Sequence, residues 1–89
     1  CHCKKIKFEA DLDLEKGSYK CNCSFCAKVR NWGCMTSPAN FRWISSLSEV
    51  GTYKINPDGG DFYFCKTCGV RIGTKGYIKE IGGDYMSVT

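Results

Sequence analysis

The stretch C-K-T-C-G at residues 65–69 predicts a metal-binding knuckle that joins distant parts of the chain. A tight turn in a C-x-x-C segment aims both sulfurs at one ion, and Gly69 permits the positive φ angle that closes the turn. Such a knuckle needs two further thiolates, which Cys1 and Cys3 at the other end of the chain can supply. Four cysteines would close the coordination shell and staple the N-terminal strand to the C-terminal hairpin, so that metal binding contributes folding energy.

A second group of cysteines lies in the stretch Y-K-C-N-C-S-F-C at residues 19–26. If residues 19–23 are extended, Cys21 and Cys23 point to the same face, because side chains alternate along a strand. A turn after residue 23 would then bring Cys26 back toward the same point. Three sulfurs can hold one zinc ion and leave its fourth position to another ligand, and such open sites bind and activate substrates.

Cys34 is the eighth cysteine, and it decides whether the second site is open or closed. It follows Cys26 by eight positions, with a predicted helical turn and Gly33 between them, so the sequence leaves closure open. A single cysteine is more often a small core residue than a ligand, which favours the open site. A zinc ion bound by three thiolates is soft, and its natural exogenous partner is another thiolate. The ion would present that thiol, deprotonated, to a carbonyl or another electrophile.

The composition indicates one small zinc-binding domain in a reducing compartment. A chain of 89 residues buries a modest core, so metal or crosslinks are expected to help hold the fold. Eight cysteines would also suit a secreted disulfide scaffold, but their close C-x-C and C-x-x-C spacing favours zinc and a cytoplasmic location. The net charge of +4 suits a small anionic ligand and is too weak to indicate nucleic acid. No apolar run approaches the length of a membrane span.

Short segments with period-two alternation predict a mainly β domain of stacked antiparallel sheets with little helix. One or two helical turns are expected at residues 27–32, with Ser24 as their cap and Gly33 as their end. The expected strands are residues 5–10, 19–23, 41–44, 51–55, 61–64, 70–74 and 85–88.

The order of the motifs resembles the glutathione-dependent formaldehyde-activating enzyme family, which also includes centromere protein V. The motifs are C-H-C at residues 1–3, C-N-C-S-F-C at residues 21–26 and F-C-K-T-C-G-V-R at residues 64–71, and D-Y-M-S-V at residues 84–88 resembles the closing strand of the family. The resemblance covers essentially the whole chain. Because a family domain usually extends past both ends, we expect residues 1–89 to be a single domain truncated at both ends.

The resemblance implies the Mss4-like fold, a β-tent of antiparallel sheets stapled by zinc. It implies a carbon–sulfur lyase that reversibly adds glutathione to formaldehyde to give S-hydroxymethylglutathione. Two Zn²⁺ ions are implied, a structural ion at Cys1, Cys3, Cys65 and Cys68 and a catalytic ion at Cys21, Cys23 and Cys26, with Cys34 as a possible fourth ligand.

Two residues depart from the family pattern. The first family motif usually continues with Gly where this chain has Lys4, which is expected to alter a local turn. Cys34 lies outside the pattern. The alternative function is a non-catalytic zinc module for protein or nucleic-acid interaction, which a tetrathiolate including Cys34 would favour.

Charged residues near the cysteines are weaker candidates. Lys28, Arg30 and Arg71 could pair with glutathione carboxylates, although surface solvation is the favoured explanation for any single one of them. His2 would point away from the metal if residues 1–3 were extended, so it is expected to be exposed.

Overall fold

The fold is mainly β, with one short helix. The structure is a computed structural model that describes the backbone of residues 1–89 and the side chains of residues 1–80 and 82–89. The strands and the helix are β1 Phe8–Ala10, β2 Tyr19–Lys20, α1 Ser24–Val29, β3 Trp32–Thr36, β4 Phe41–Trp43, β5 Val50–Lys54, β6 Asp61–Cys65, β7 Arg71–Ile78 and β8 Gly83–Val88. Short 3-10 turns lie at Leu14–Lys16, Pro38–Asn40, Leu47–Glu49 and Lys79–Ile81.

The strands form two antiparallel sheets, which confirms the predicted fold class. The larger sheet has the order β2-β3-β8-β7-β6-β5, and β1 pairs with β4 in a separate two-stranded sheet. The longest pairing joins β7 to β8, from Gly73 opposite Val88 to Ile78 opposite Gly83. Sequential hairpins therefore build the β5-β6-β7-β8 half of the sheet, whereas β3 reaches β8 from far away in the chain. Among the described residues, no helix is long and apolar enough to cross a membrane.

The small core surrounds one of the cysteine groups. Ile6, Cys65 and Ile72 form the buried cluster, with side-chain exposures of 1%, 0% and 2%. The partly buried residues packed against this cluster are Cys1, Cys3, Phe8, Trp43, Val50, Tyr63 and Cys68. One predicted metal ligand, Cys65, is central to the core, and the other three pack against it. The stability of the fold should therefore depend on the ion that holds these sulfurs together.

Aromatic contacts join the two sheets. Trp43 of β4 meets Tyr63 of β6 edge-on, with ring centroids 5.5 Å apart. Phe8 of β1 stacks on Phe41 of β4 at 5.1 Å, which strengthens the small sheet itself. Aromatic pairs at these distances contribute roughly 0.5–1.5 kcal/mol beyond the area they bury. The N-terminal segment is thus held to the larger sheet by side-chain packing as well as by its cysteines.

The predicted position of the helix and of its ends was wrong. The helix begins at Ser24 rather than at residue 27, and it ends at Val29, where the C-cap residue Arg30 adopts a left-handed conformation. Gly33 does not terminate a helix but lies inside β3, directly opposite Tyr19 of β2. A Cβ atom on Gly33 would approach the Ser87 Oγ atom to 2.7 Å, so this glycine allows β3 and β8 to pack closely.

Lys4 occupies a backbone conformation that suits glycine. Its φ angle is 68°, and its N–H donates to the Cys1 carbonyl oxygen at 3.3 Å, which closes the turn after the first cysteine pair. An L-residue in this region costs about 1–2 kcal/mol relative to glycine, part of which the greater freedom of unfolded glycine offsets. The altered turn expected at Lys4 is therefore a strained one.

We predict that Lys4→Gly raises the free energy of unfolding of the zinc-loaded protein by about 0.5–1 kcal/mol, measured by urea denaturation. Lys5→Gly is the matched control, because Lys5 is not in a positive-φ conformation and glycine there should destabilise. Equal effects of the two substitutions would contradict the assigned strain.

Candidate metal centres

Four cysteines from the two ends of the chain converge on one point. The Sγ atoms of Cys1, Cys3, Cys65 and Cys68 all lie within 4.8 Å of one another. The Cys1–Cys3 and Cys3–Cys65 Sγ separations are both 3.6 Å. A zinc ion with Zn–S bonds of about 2.3 Å in a tetrahedron separates its sulfurs by about 3.8 Å. The geometry thus fits a closed tetrathiolate site.

The backbone around this group is arranged to favour thiolates. Gly69 has a φ angle of 76°, as the knuckle requires, and its N–H donates to the Cys65 carbonyl oxygen at 2.8 Å. The N–H of Cys68 points at the Cys65 sulfur at 3.4 Å. Backbone hydrogen bonds from Cys3 and Val70 lower the pKa of the Cys68 thiol to about 6. Amide donors stabilise the charged form of sulfur, which is the form that binds metal.

Three more cysteines converge at the start of α1. The Sγ atoms of Cys21, Cys23 and Cys26 lie within 4.8 Å of one another. Cys21 and Cys23 are exposed, whereas Cys26 is buried with 7% exposure. The convergence arises differently from the prediction, because β2 ends at Lys20 and the first turn of α1 brings the third sulfur back.

Cys23, and not Ser24 as predicted, is the N-cap of α1. The Cys23 sulfur accepts the backbone N–H of Cys26 at 3.3 Å. This hydrogen bond is the main reason that the pKa of the Cys23 thiol falls to about 7. Burial raises the pKa of Cys26 to about 12, and the sulfurs of Cys23 and Cys21 add to the effect. Without a metal, one exposed thiolate and one buried thiol therefore sit side by side.

The contrast between these two thiols predicts a selective alkylation. In folded protein that holds zinc only at the four-cysteine site, iodoacetamide should modify Cys23 much faster than Cys26 at pH 8, because the thiolate is the nucleophile. The Cys23 rate should rise as the pH increases through 7 and then level off, since its pKa lies below the usual value of 9.0. Peptide mapping after short pulses checks this outcome. Excess zinc should protect both residues, and equal labelling of Cys23 and Cys26 with zinc at the four-cysteine site alone would contradict this prediction.

Cys34 lies outside the three-cysteine group. Cys34 of β3 lies opposite Val88 of β8. Among the described residues, it belongs to neither group of cysteines whose sulfurs lie within 4.8 Å of one another. Its side chain instead lines a separate cavity of about 480 Å³ together with Leu12, Leu14 and Trp32. The arrangement leaves three sulfurs around the second centre and a fourth direction free of cysteine.

Arg71 places a positive charge next to the second centre. Its guanidinium packs against the rings of Phe25 and Phe62, at 5.0 and 5.2 Å from their centroids. One nitrogen, Nη2, donates to the Thr74 hydroxyl at 3.2 Å, while Nε and Nη1 are buried without a partner. Burial lowers the pKa of Arg71, and the charge of the Cys26 thiolate opposes this shift. Arg71 is therefore a fixed cation that offsets part of the negative charge of clustered thiolates.

The other sequence candidates have simpler surroundings. His2 is exposed, as predicted. Lys28 is exposed in the last turn of α1, and it makes no ion pair within the described part of the chain. Asn31 was not a candidate from the sequence; it is 7% exposed, and its Oδ1 atom is buried without a hydrogen-bond partner. Its burial just past Arg30, the C-cap of α1, could be found only from the structure.

The mainly β fold carries two convergent cysteine groups that could each hold a metal ion, and the donor sets are consistent with zinc. The sequence profile described as "Glutathione-dependent formaldehyde-activating enzyme" matches residues 1–89, and the chain belongs to this family. Its fold is similar to a structural-genomics crystal structure of a Rhodobacter sphaeroides protein, with a TM-score of 0.84 at 20% sequence identity. The similarity covers 99% of this chain and 79% of that one, and at this identity it concerns the fold.

Proposed function

We propose that the protein is a zinc-dependent carbon–sulfur lyase that adds a glutathione-like thiol to formaldehyde or a related small electrophile. Residues 1–89 would form a single zinc-binding domain with two zinc ions. Cys1, Cys3, Cys65 and Cys68 would hold the structural ion. Cys21, Cys23 and Cys26 would hold the catalytic ion. The observation that carries the proposal is the three-sulfur group with Cys34 outside it, since an open coordination position is what a thiol substrate needs.

The reaction joins the thiol sulfur to the carbonyl carbon. A zinc ion, when bound, would lower the pKa of the substrate thiol and favour its thiolate. The C–S bond forms as the carbonyl π electrons move to oxygen, and the oxygen then takes a proton to give the hydroxymethyl thioether; the reverse reaction breaks the same bond. The Arg71 guanidinium would offset the charge of the three protein thiolates and of the incoming one.

The remaining support comes from the family and from the state of the cysteines. Family membership suggests glutathione as the cosubstrate, although a shared scaffold does not by itself name the electrophile. All eight cysteines are free thiols, which fits the proposed cytoplasmic location. The alternative of a non-catalytic zinc module is less well supported, because its expected tetrathiolate would need Cys34 near the other three sulfurs.

The test is the rate of adduct formation from glutathione and formaldehyde. Exchange NMR at equilibrium should show interconversion accelerated well above the uncatalysed rate by zinc-loaded protein. Protein treated with a strong chelator should lose the acceleration and regain it with added zinc. Fully zinc-loaded, folded protein that fails to accelerate either direction would contradict the proposed reaction.

A further inference from the structure

A cavity of about 360 Å³ opens beside the three-cysteine group. It is lined by Lys20, Cys21, Cys26, Ala27, Arg30 and Asn31. We propose that this thiol-side cavity binds the charged amino-acid part of the cosubstrate, with Lys20 and Arg30 holding a carboxylate and Asn31 accepting an N–H group. The inference rests on the proposed function, and it makes the protein selective for thiols that carry both groups.

The cavity and the second centre share two cysteines. Cys21 and Cys26 line the cavity and also belong to the convergent sulfur group. A thiol that approaches the open side of this group would therefore have the cavity within reach for the rest of its molecule. A ligand with only one or two carbons beyond its sulfur would leave most of the space filled with water.

The charge of the cavity favours an anion. Its lining includes two cations, Lys20 and Arg30, and no carboxylate. The Lys20 ammonium lies 4.8 Å from the centre of the Trp32 ring, which restrains it by a cation–π contact. In the described part of the chain neither cation forms an ion pair, because the pairs present there involve Arg42 and Lys54. Both cations are therefore free to bind a carboxylate.

Asn31 supplies an acceptor that the protein itself leaves unused. Its side chain is buried, and its Oδ1 atom has no hydrogen-bond partner. A buried acceptor without a partner destabilises the folded protein, so an N–H group from a ligand would relieve that cost on binding. The backbone N–H of Asn31 donates to the Cys26 carbonyl oxygen at 3.1 Å, which fixes the residue beside the sulfur group.

Arg30 is in a conformation that a glycine would occupy without strain. Its φ and ψ angles are 53° and 48°, and its backbone N–H caps α1 through the Cys26 carbonyl oxygen. The C-terminal end of a helix commonly uses glycine at such a position. Arg30→Gly therefore removes the guanidinium without destabilising the fold, because glycine adopts this backbone conformation without strain. A loss of affinity in this variant can then be assigned to the missing charge.

The experiment measures thiol binding to the zinc-loaded protein by calorimetry, with glutathione, 3-mercaptopropionate and 2-mercaptoethanol. We expect the affinity to fall in that order, since the second thiol lacks the N–H groups and the third lacks the carboxylate as well. In Arg30→Gly and in Lys20→Gln the affinity for glutathione should fall about tenfold, the effect of losing one charge-assisted hydrogen bond. The affinity for 2-mercaptoethanol should stay unchanged.

Lys28→Gln is the matched control, because it removes one positive charge from α1 outside the cavity lining. Equal affinities of the three thiols, or an equal loss in Lys28→Gln and Arg30→Gly, would overturn the inference. The result is separable from the proposed reaction. Selective binding without catalysis would leave the cavity assignment intact, whereas catalysis with unselective binding would refute only the cavity assignment.

Discussion

The Cys65→Ser variant is expected to lose its cooperative folded state. Cys65 is fully buried at the centre of the small core, and its sulfur lies 3.6 Å from that of Cys3. Structural zinc binding contributes about 10–16 kcal/mol in small domains, while whole domains are stable by only about 5–15 kcal/mol. The free energy lost when one thiolate is removed from a closed site should therefore exceed the free energy of unfolding of this protein.

Near-ultraviolet circular dichroism and amide hydrogen exchange check this outcome, together with the zinc content of the purified protein. Cys34→Ser is the matched control, because it removes a thiol outside both sulfur groups and should retain the fold and the zinc content of the parent. A Cys65→Ser protein that unfolds cooperatively with parental zinc content would contradict the structural role of the closed site.

The Cys23→Ser variant is expected to keep the fold and lose the function. Cys23 is exposed and lies outside the buried cluster around Cys65, so its replacement should leave the closed site and the sheets intact. Loss of a residue that merely supports a metal ligand already costs about 10–100-fold in metal affinity or activity. Removal of a ligand should therefore lower the rate of adduct formation by more than about hundredfold.

Metal analysis should find one zinc ion fewer per chain than in the parent protein, with unchanged circular dichroism. Serine can retain the helix N-cap, so the effect on stability should stay small. Ser24→Ala, at the next position, is the control and should be fully active. Parental zinc content and parental activity in Cys23→Ser would contradict the catalytic assignment.

The cysteine groups could be predicted because the cysteines within each motif are closely spaced and because the knuckle at residues 65–69 needs two further thiolates. The C-x-x-C knuckle with Gly69 and the C-x-C-x-x-C stretch each bring sulfurs together within a few residues, and the structure places both groups as expected. The mainly β fold followed from the alternation in residues 61–64 and 70–74, which become parts of β6 and β7. The spacing of the cysteines predicts the sulfur groups, and the period-two alternation of apolar residues predicts the strands.

Features that depend on long-range packing could not be predicted. Gly33 resembles a helix terminator in the sequence, but its role is to let Ser87 approach from β8. Arg71 packs against two aromatic rings only because β6, β7 and α1 come together in space. The unpaired Oδ1 atom of Asn31 likewise has no sequence signal. These residues surround the second centre. The sulfurs of this centre could be predicted from the sequence, but the residues around them could be identified only from the structure.

The central claim is that the ion at the three-cysteine group has one position open to a thiol. Zinc K-edge absorption spectroscopy of the fully loaded protein, with and without glutathione, tests it most directly. The proposed sites supply seven sulfurs to two ions, and saturating glutathione should raise this to eight while displacing one lighter ligand. Eight sulfurs before glutathione is added, or no change after saturation, would contradict the claim.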